Sequence, residues 1–315
     1  MFNYSLIFTL KNEEKNIYKL LESIVKQTVK PDEIIICDAG STDNTLEILE
    51  NFKKSNPNLM ISIIKEKGVN RSKGRNEAIK QAKGVVIIVT DAGCVPDENW
   101  IKNIIEPFND INIDVVAGYY KPITKTIFQK CLACYTSVME DKVDPNNFLP
   151  SSRSIAFKKT AWEKVGGYPE KLDYCEDLVF AVNLKKAGLK FQFKQDAIVY
   201  WPQKENIIQA FWQFFHYAYG DGQALYMPHV KNITFVYFRY LIGIMILYNI
   251  FIYDISIYHI LFWGGLLLYI TWSIIKNYRY IKNLAAFCYL PILQFTADLA
   301  VMLGFFYGIT RRKSL

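Results

Sequence analysis

The chain has 315 residues, 37 lysines and arginines against 30 aspartates and glutamates, and a formal net charge of +7. The charge is uneven: residues 231–315 hold eight basic residues and two acids, Asp254 and Asp298, a net of +6 that leaves residues 1–230 at +1. A near-neutral front part and a short, basic, very apolar tail exclude a uniformly basic nucleic-acid binder. A content of 51% hydrophobic and 15% aromatic residues excludes a disordered chain.

Met1 to Leu10 run directly into a strand-like segment and then charges, so no signal peptide is expected. The first strand is predicted over Ser5–Leu10. After a polar turn, Ile17, Leu20, Leu21, Ile24 and Val25 fall at helical spacing, and Pro31 ends that helix region. Glu33–Asp38 reads as the second strand, and Gly40-Ser41-Thr42-Asp43 supplies a turn, a cap and a first-turn acid for a helix through Leu46 and Leu49. Strand Ile61–Lys65, helix Ser72–Ala82 and strand Val85–Asp91 follow. Apolar strands alternating with helices mean an α/β domain with a parallel sheet covered on both faces. The six cysteines, Cys37, Cys94, Cys131, Cys134, Cys175 and Cys288, form no disulfide-like framework, which suits a reducing, cytosolic front domain. Cys131-x-x-Cys134 lacks a second pair, and ordinary buried cysteines are expected there.

The tail holds two runs of spanning length, Ile233–Tyr253 and Ile255–Ile275. A third run, Leu284–Ile309, contains Pro291, Gln294 and Asp298; it reads as a kinked span whose polar groups face neighbouring helices, or else as a re-entrant or interfacial segment. The loop Lys276/Arg279/Lys282 and the tail Arg311/Arg312/Lys313 both prefer the cytoplasm, and three full spans cannot satisfy both. The expected organisation is a front domain over residues 1–230 and a membrane region of two or three helices over 231–315. The front domain is then cytoplasmic on a multi-pass cell-membrane protein.

Asp38 and Asp91 each end a predicted strand, and ligands of open α/β sheets bind outside the carboxyl ends of strands. Asp at a strand end is equally an ordinary helix cap. Lys11-Asn12-Glu13-Glu14 stands where a dinucleotide-binding G-x-G-x-x-G would follow the first strand, which argues against that class. An acidic crevice suits a divalent metal bridging to a diphosphate, because the cation offsets phosphate charge that bare carboxylates would repel.

Several separated segments carry a more specific signal: SLIFTLKNEEKNI, QTVKPDEIIICDAGSTDNT, GRNEAIKQAKG, VVIIVTDAGCVPDENW, SSRSIAFKKTAWEKVGGYPE, CEDLVF and QFFHYAYGDG. In this order they resemble the family 2 glycosyltransferases, inverting enzymes of the GT-A fold that use nucleotide-diphosphate sugars, over about Tyr4 to Tyr226. The resemblance implies a mostly parallel GT-A-type sheet flanked by helices and followed by transmembrane helices. It implies that Asp38 reads the nucleotide base, with Thr9 and Glu13 lining the same pocket and Arg75 near the nucleotide. Asp91 matches the first acid of the family's D-x-D metal motif, but Gly93 stands where the last Asp belongs. A magnesium or manganese ion would then rest on Asp91, the diphosphate, water and a later residue, for which His216 is one candidate and a packing histidine the alternative. In Glu176-Asp177 the resemblance implies that Asp177 is the general base, with Glu176 orienting the acceptor. Acids at a helix N-terminus are also favoured by the macrodipole. Arg153 is placed to stabilise leaving-group charge or to pair with a core carboxylate. Trp201-Pro202 and Gln213 to Gly222 resemble the segment closing over the acceptor.

The implied partners are a nucleotide-diphosphate sugar donor, an acceptor glycan or lipid, and the membrane, with no nucleic acid. Two other readings stay open: a nucleotidyltransferase, which this first loop suits poorly, and a non-catalytic nucleotide-sugar-binding module, motivated by Gly93.

Overall fold

The structure is a computed structural model that describes residues 3–312; Met1, and Lys313 of the basic tail, lie outside the described residues. Two compact units are present. The first comprises residues 1–123 and 139–202, the second residues 124–138 and 203–315. Residues 124–138 and 203–230, which the sequence groups with the front domain, thus cluster with the apolar helices.

The first unit begins with the expected alternation: β1 (Tyr4–Leu10), α1 (Ile17–Lys26), β2 (Glu33–Asp38), α2 (Thr45–Ser55), β3 (Ile61–Lys65), α3 (Arg71–Gln81) and β4 (Val86–Val89). There follow β5 (Val95–Pro96), α4 (Trp100–Ile105), β6 (Val115–Ile123), β7 (Ile155–Lys158), α6 (Lys159–Val165), α7 (Glu176–Lys186) and β8 (Phe191–Pro202), while α5 (Ile127–Thr136) belongs to the second unit. One eight-stranded sheet has the order β3-β2-β1-β4-β7-β6-β8-β5. The first four strands in that order are parallel, whereas β7 runs antiparallel to both β4 and β6.

Every residue of β2 and β4 is buried, as a strand covered on both faces requires. One layer packs Ile17, Leu20, Leu21 and Ile24 of α1 with Trp100 of α4 against Leu6, Phe8 and Ile36; the other packs Ala78 and Ile79 of α3 against Ile7, Ile35 and Val89. Val25, expected on the buried face of α1, is 41% exposed. At 100° per residue it lies about 80° around the helix from Ile17, at the edge of the apolar stripe. The fourth strand stops at Val89, two residues short of the expected end, because the chain turns where the Cys94 N–H donates to the Asp91 carbonyl at 3.0 Å.

In the second unit, α8 (Ile207–Ala224) and α5 pack with three long helices, α9 (Met227–Tyr253), α10 (Ser256–Ile281) and α11 (Ala286–Thr310). All three are long and apolar enough to cross a membrane, and they make the chain a multi-pass membrane-anchored protein. Lys276 and Arg279, expected in a loop, lie in the last turns of α10, and Lys282 caps it at φ 49°. The third apolar run is a single helix despite Pro291, with Gln294 and Asp298 buried. A Cβ on Gly304 or Gly308 would strike the carbonyls of Phe215 and Tyr219, so α8 and α11 meet backbone to backbone, as small residues permit. All six cysteines are free; Cys131 is buried on α5, where burial above all, with Cys134 beside it, pushes its thiol up to about 12.

Candidate active site

The candidate residues gather at the carboxyl ends of β1, β2 and β4, inside the first unit. Asp38, the last residue of β2, is 1% exposed. Its Oδ1 accepts the N–H groups of Gly40 and Ser41, each at 2.8 Å, while Oδ2 is buried with no partner among the described residues. A buried acceptor left without a donor costs about 1–3 kcal/mol, so an incoming N–H donor would be favoured here. Thr9 lies opposite Cys37 and donates its hydroxyl to the Cys37 carbonyl at 3.1 Å. A Cβ on Gly74 would collide with that hydroxyl, so glycine lets α3 sit directly on β1. The Thr9 side chain is thus committed to packing beside the pocket.

Glu13 occupies the turn after β1, and the loops following β1 and β2 are stitched together there. The Asn12 N–H donates to Ser41 Oγ at 2.9 Å, Asn12 Oδ1 accepts the Thr42 N–H at 2.8 Å, and the Glu13 N–H donates to Thr45 Oγ1 at 2.8 Å. The Glu13 carboxylate accepts from Asn16 Nδ2 at 3.1 Å. Sequence reasoning missed Asn12 and Thr45 as the residues that shape this rim. The available signal was Asn12 itself, a residue type that tolerates the left-handed backbone it adopts at φ 55°.

Arg75, on α3, is the centre of the site. It is 1% exposed, its Nη1 donates to Glu176 Oε1 at 2.8 Å, its Nη2 donates to Asp91 Oδ1 at 2.8 Å, and its plane lies 5.3 Å from the Tyr168 ring centroid. One guanidinium therefore joins the turn after β4 to the first turn of α7. Burial alone would lower the Arg75 pKa, but the carboxylates of Asp91 and Glu176 outweigh it and raise it. For Asp91, burial pushes the carboxyl upward and is overcome by Arg75, Arg153 and Arg71, which hold it below the usual range. For Glu176, burial prevails over the attraction of Arg75 and raises the carboxyl.

The Asp91 side chain remains 36% exposed, unlike Glu176 at 6%. A Cβ on Gly93 would meet nothing within 4 Å, so packing does not exclude a side chain there. Among the described residues, no group of three or more His, Cys, Asp or Glu could hold a metal ion.

Asp177 follows Glu176 in the first turn of α7, whose N-cap, Cys175, is left-handed at φ 60°. It is half-buried; its Oδ1 accepts the Leu178 N–H at 2.9 Å and its Oδ2 faces the Ser152 N–H at 3.4 Å. Since β7 runs antiparallel to β4, with Ile155 opposite Val89, the residues entering β7 lie beside the crevice; Thr90 Oγ1 donates to the Arg153 carbonyl at 2.9 Å. The Arg153 guanidinium stacks 3.9 Å from the Trp201 ring centroid and 5.0 Å from that of Tyr120, and its Nη1 donates to Ser151 Oγ at 3.1 Å. Trp201 is its platform. Asp38, Arg75, Asp91, Arg153, Glu176 and Asp177 all belong to the first unit. His216 lies on α8 in the second, among Trp212 and Phe215, with ring centroids at 6.0 and 5.8 Å.

Among known proteins, residues 5–161 match the family described as Glycosyl transferase family 2. The glycosyltransferase AglE of Haloferax volcanii is 25% identical over 199 residues, 62% of this chain and 65% of that protein, so the chain spans slightly under two thirds of that curated relative. A Methanococcus voltae protein named dolichyl N-acetyl-alpha-D-glucosaminyl phosphate 3-beta-D-2,3-diacetamido-2,3-dideoxy-beta-D-glucuronosyltransferase is 24% identical over 329 residues, 98% of each chain. The solved mannosyltransferase PcManGT from Pyrobaculum calidifontis, in complex with GDP-Man and Mn2+, has the same fold, with a TM-score of 0.67 at 17% identity over 93% of this chain and 86% of that one. The chain therefore carries a family 2 glycosyltransferase domain with a GT-A-like α/β core, followed by apolar membrane helices.

Proposed function

We propose that this protein is an inverting glycosyltransferase that moves a sugar from a nucleotide-diphosphate donor to an acceptor hydroxyl or phosphate at the cytoplasmic face of the cell membrane. The observation that carries this reading is the Arg75 bridge, which ties Asp91 to Glu176 and thereby sets Asp177 beside the crevice. Asp38 Oδ2, buried without a donor, receives an N–H of the base. Asp177, the less buried of the two acids on α7, takes the acceptor proton as the acceptor oxygen bonds to the anomeric carbon. The bond from that carbon to the diphosphate oxygen breaks, its electron pair leaves on the nucleoside diphosphate, and Arg153 stabilises the charge. Glu176, with an oxygen held by Arg75, positions α7 instead of touching the acceptor.

A divalent cation held at Asp91 would neutralise charge on the diphosphate. Asp91 offers a half-exposed carboxylate, and its Oδ2 has no bond among the described residues, whereas Oδ1 is taken by Arg75. One protein carboxylate fits magnesium or manganese in the mode where substrate phosphates and water complete the shell. The front domain is assigned residues 1–230 in this reading, and the membrane region residues 231–315. The Methanococcus relative's name makes a lipid-phosphate-linked acceptor the first to try; anchoring raises the effective concentration of an acceptor dissolved in the bilayer.

Asp177→Asn is the direct test. Transfer should fall about 10²- to 10⁴-fold, as loss of a general base does, while calorimetry shows nucleotide-sugar binding within twofold of wild type. Undiminished transfer would remove Asp177 from the mechanism. If UDP- and GDP-sugars both fail to bind with Mn²⁺ present, the donor class falls with it.

A further inference from the structure

The helices α9, α10 and α11 carry four basic residues, Lys231, Arg239, Lys276 and Arg279, and one acid, Asp298. Charges inside apolar helices are expensive and mark functional sites. Asp298 is 3% exposed and saturated with donors from all three helices. Its Oδ2 accepts the hydroxyls of Tyr240 at 3.0 Å and of Tyr269; its Oδ1 accepts Gln294 Nε2 at 2.9 Å and lies 2.9 Å from Arg239 Nη2. Gln294 passes the chain on, its Oε1 accepting from Lys276 Nζ at 2.5 Å.

Arg239 competes for the Asp298 carboxylate with three other donors. Its plane stacks 4.3 Å from the Tyr269 centroid, which fixes its direction; Nη2 is ion-paired to Asp298 without an aligned hydrogen bond, Nε is buried with no acceptor among the described residues, and the side chain as a whole is 36% exposed. A fixed guanidinium that shares its one carboxylate with three other donors and keeps part of its side chain exposed has room for a further acceptor, and a tetrahedral oxyanion supplies several.

Depth points the same way. Arg239 lies 14 residues before Tyr253 and Tyr269 lies 13 after Ser256, so both stand about 20 Å along their helices from the α9–α10 turn. Lys276 lies 20 residues after Ser256, about 30 Å along, at the opposite edge of a hydrocarbon layer about 30 Å thick. The polar track thus runs inward from the headgroup level by about 10 Å, within reach of a headgroup but closed to a polyanion confined to water.

We propose that Arg239, with Lys276 at its mouth, binds the phosphate of a lipid headgroup from the bilayer. This goes beyond the transfer reaction and does not rest on it. The test is thermal unfolding of the full chain in dodecyl maltoside with dodecyl phosphate added, and inorganic phosphate at the same concentration in a parallel arm. Dodecyl phosphate should raise the midpoint by about 4 °C or more. Arg239→Gln should cut that rise at least threefold, and Arg239→Lys should retain part of it. Should Arg239→Gln fail to fold, Lys276→Gln at the track's mouth is read instead, again for a smaller rise. No rise in the wild type, or an equal rise in the glutamine variant, overturns the site. An equal rise with inorganic phosphate overturns the lipid as its ligand.

Discussion

Each unit sets an arginine against carboxylate, and the two arrangements differ in stoichiometry. In the first, one arginine, Arg75, serves two acids, Asp91 and Glu176; in the second, one acid, Asp298, draws donors from three helices and leaves Arg239 partly unsatisfied. In the first node two carboxylates share one buried guanidinium and Asp91 keeps a partly exposed edge, which suits a cation. The Arg239–Asp298 pair is neutral by itself, and Lys276, reached through Gln294, adds the positive charge that suits an anion. A buried ion pair is therefore informative through its stoichiometry and its leftover atoms, more than through its presence.

The largest effect should come from breaking the first node. Arg75→Met strands a buried carboxylate, and its partner beside it, at a cost of about 3–5 kcal/mol in denaturant unfolding. Adding Glu176→Gln should recover part of that loss, because a neutral side chain is cheaper to bury alone; no recovery would mean that the arginine acts by packing on Tyr168. In the second node, Asp298→Asn should cost less, about 1–2 kcal/mol by thermal unfolding in detergent, since hydrogen bonds among membrane helices are weak and the amide keeps an acceptor.

The first node also has a pH signature. The Asp91 carboxyl is held below its ordinary value of about 3.9, chiefly by Arg75 against the opposing pull of burial, so its contribution is complete above that pH. It is lost as pH falls through the lower native value. Acid unfolding followed by circular dichroism should accordingly be less pH-dependent in Asp91→Asn, over the range below pH 4. The smallest stability change is expected for Gly93→Asp, within about 0.5 kcal/mol, because the position opens on empty space. The added carboxylate should nevertheless tighten Mn²⁺ binding, measured by calorimetry with a nucleoside diphosphate present, about tenfold or more; unchanged affinity would mean that position 93 does not face the cation.

The first four strands and three helices were legible because continuous apolar runs such as EIIICD and helical spacing in α1 are local patterns. Boundaries moved where tertiary contacts intervened: β4 ended early at the Asp91–Cys94 turn, and Val25 fell outside the buried stripe. The acids Asp38, Asp91, Glu176 and Asp177 could be named as candidates from the sequence. That Arg75 joins two of them could not be read there, because it depends on which carboxylates the fold brings to one guanidinium. Glu176 and Asp177 are adjacent in sequence, yet one is buried on Arg75 and the other half-exposed, since successive helix positions point about 100° apart.

By itself, the sequence determined the α/β alternation, the uneven charge and the three apolar segments, all of which follow from residue order. The fold alone decided that residues 75, 91 and 176 share one guanidinium, and that residues 239, 269, 294 and 298 share one carboxylate. All but the Gln294–Asp298 contact join positions at least 16 residues apart, and a buried charge takes its meaning from the neighbours that chain folding brings within about 3 Å.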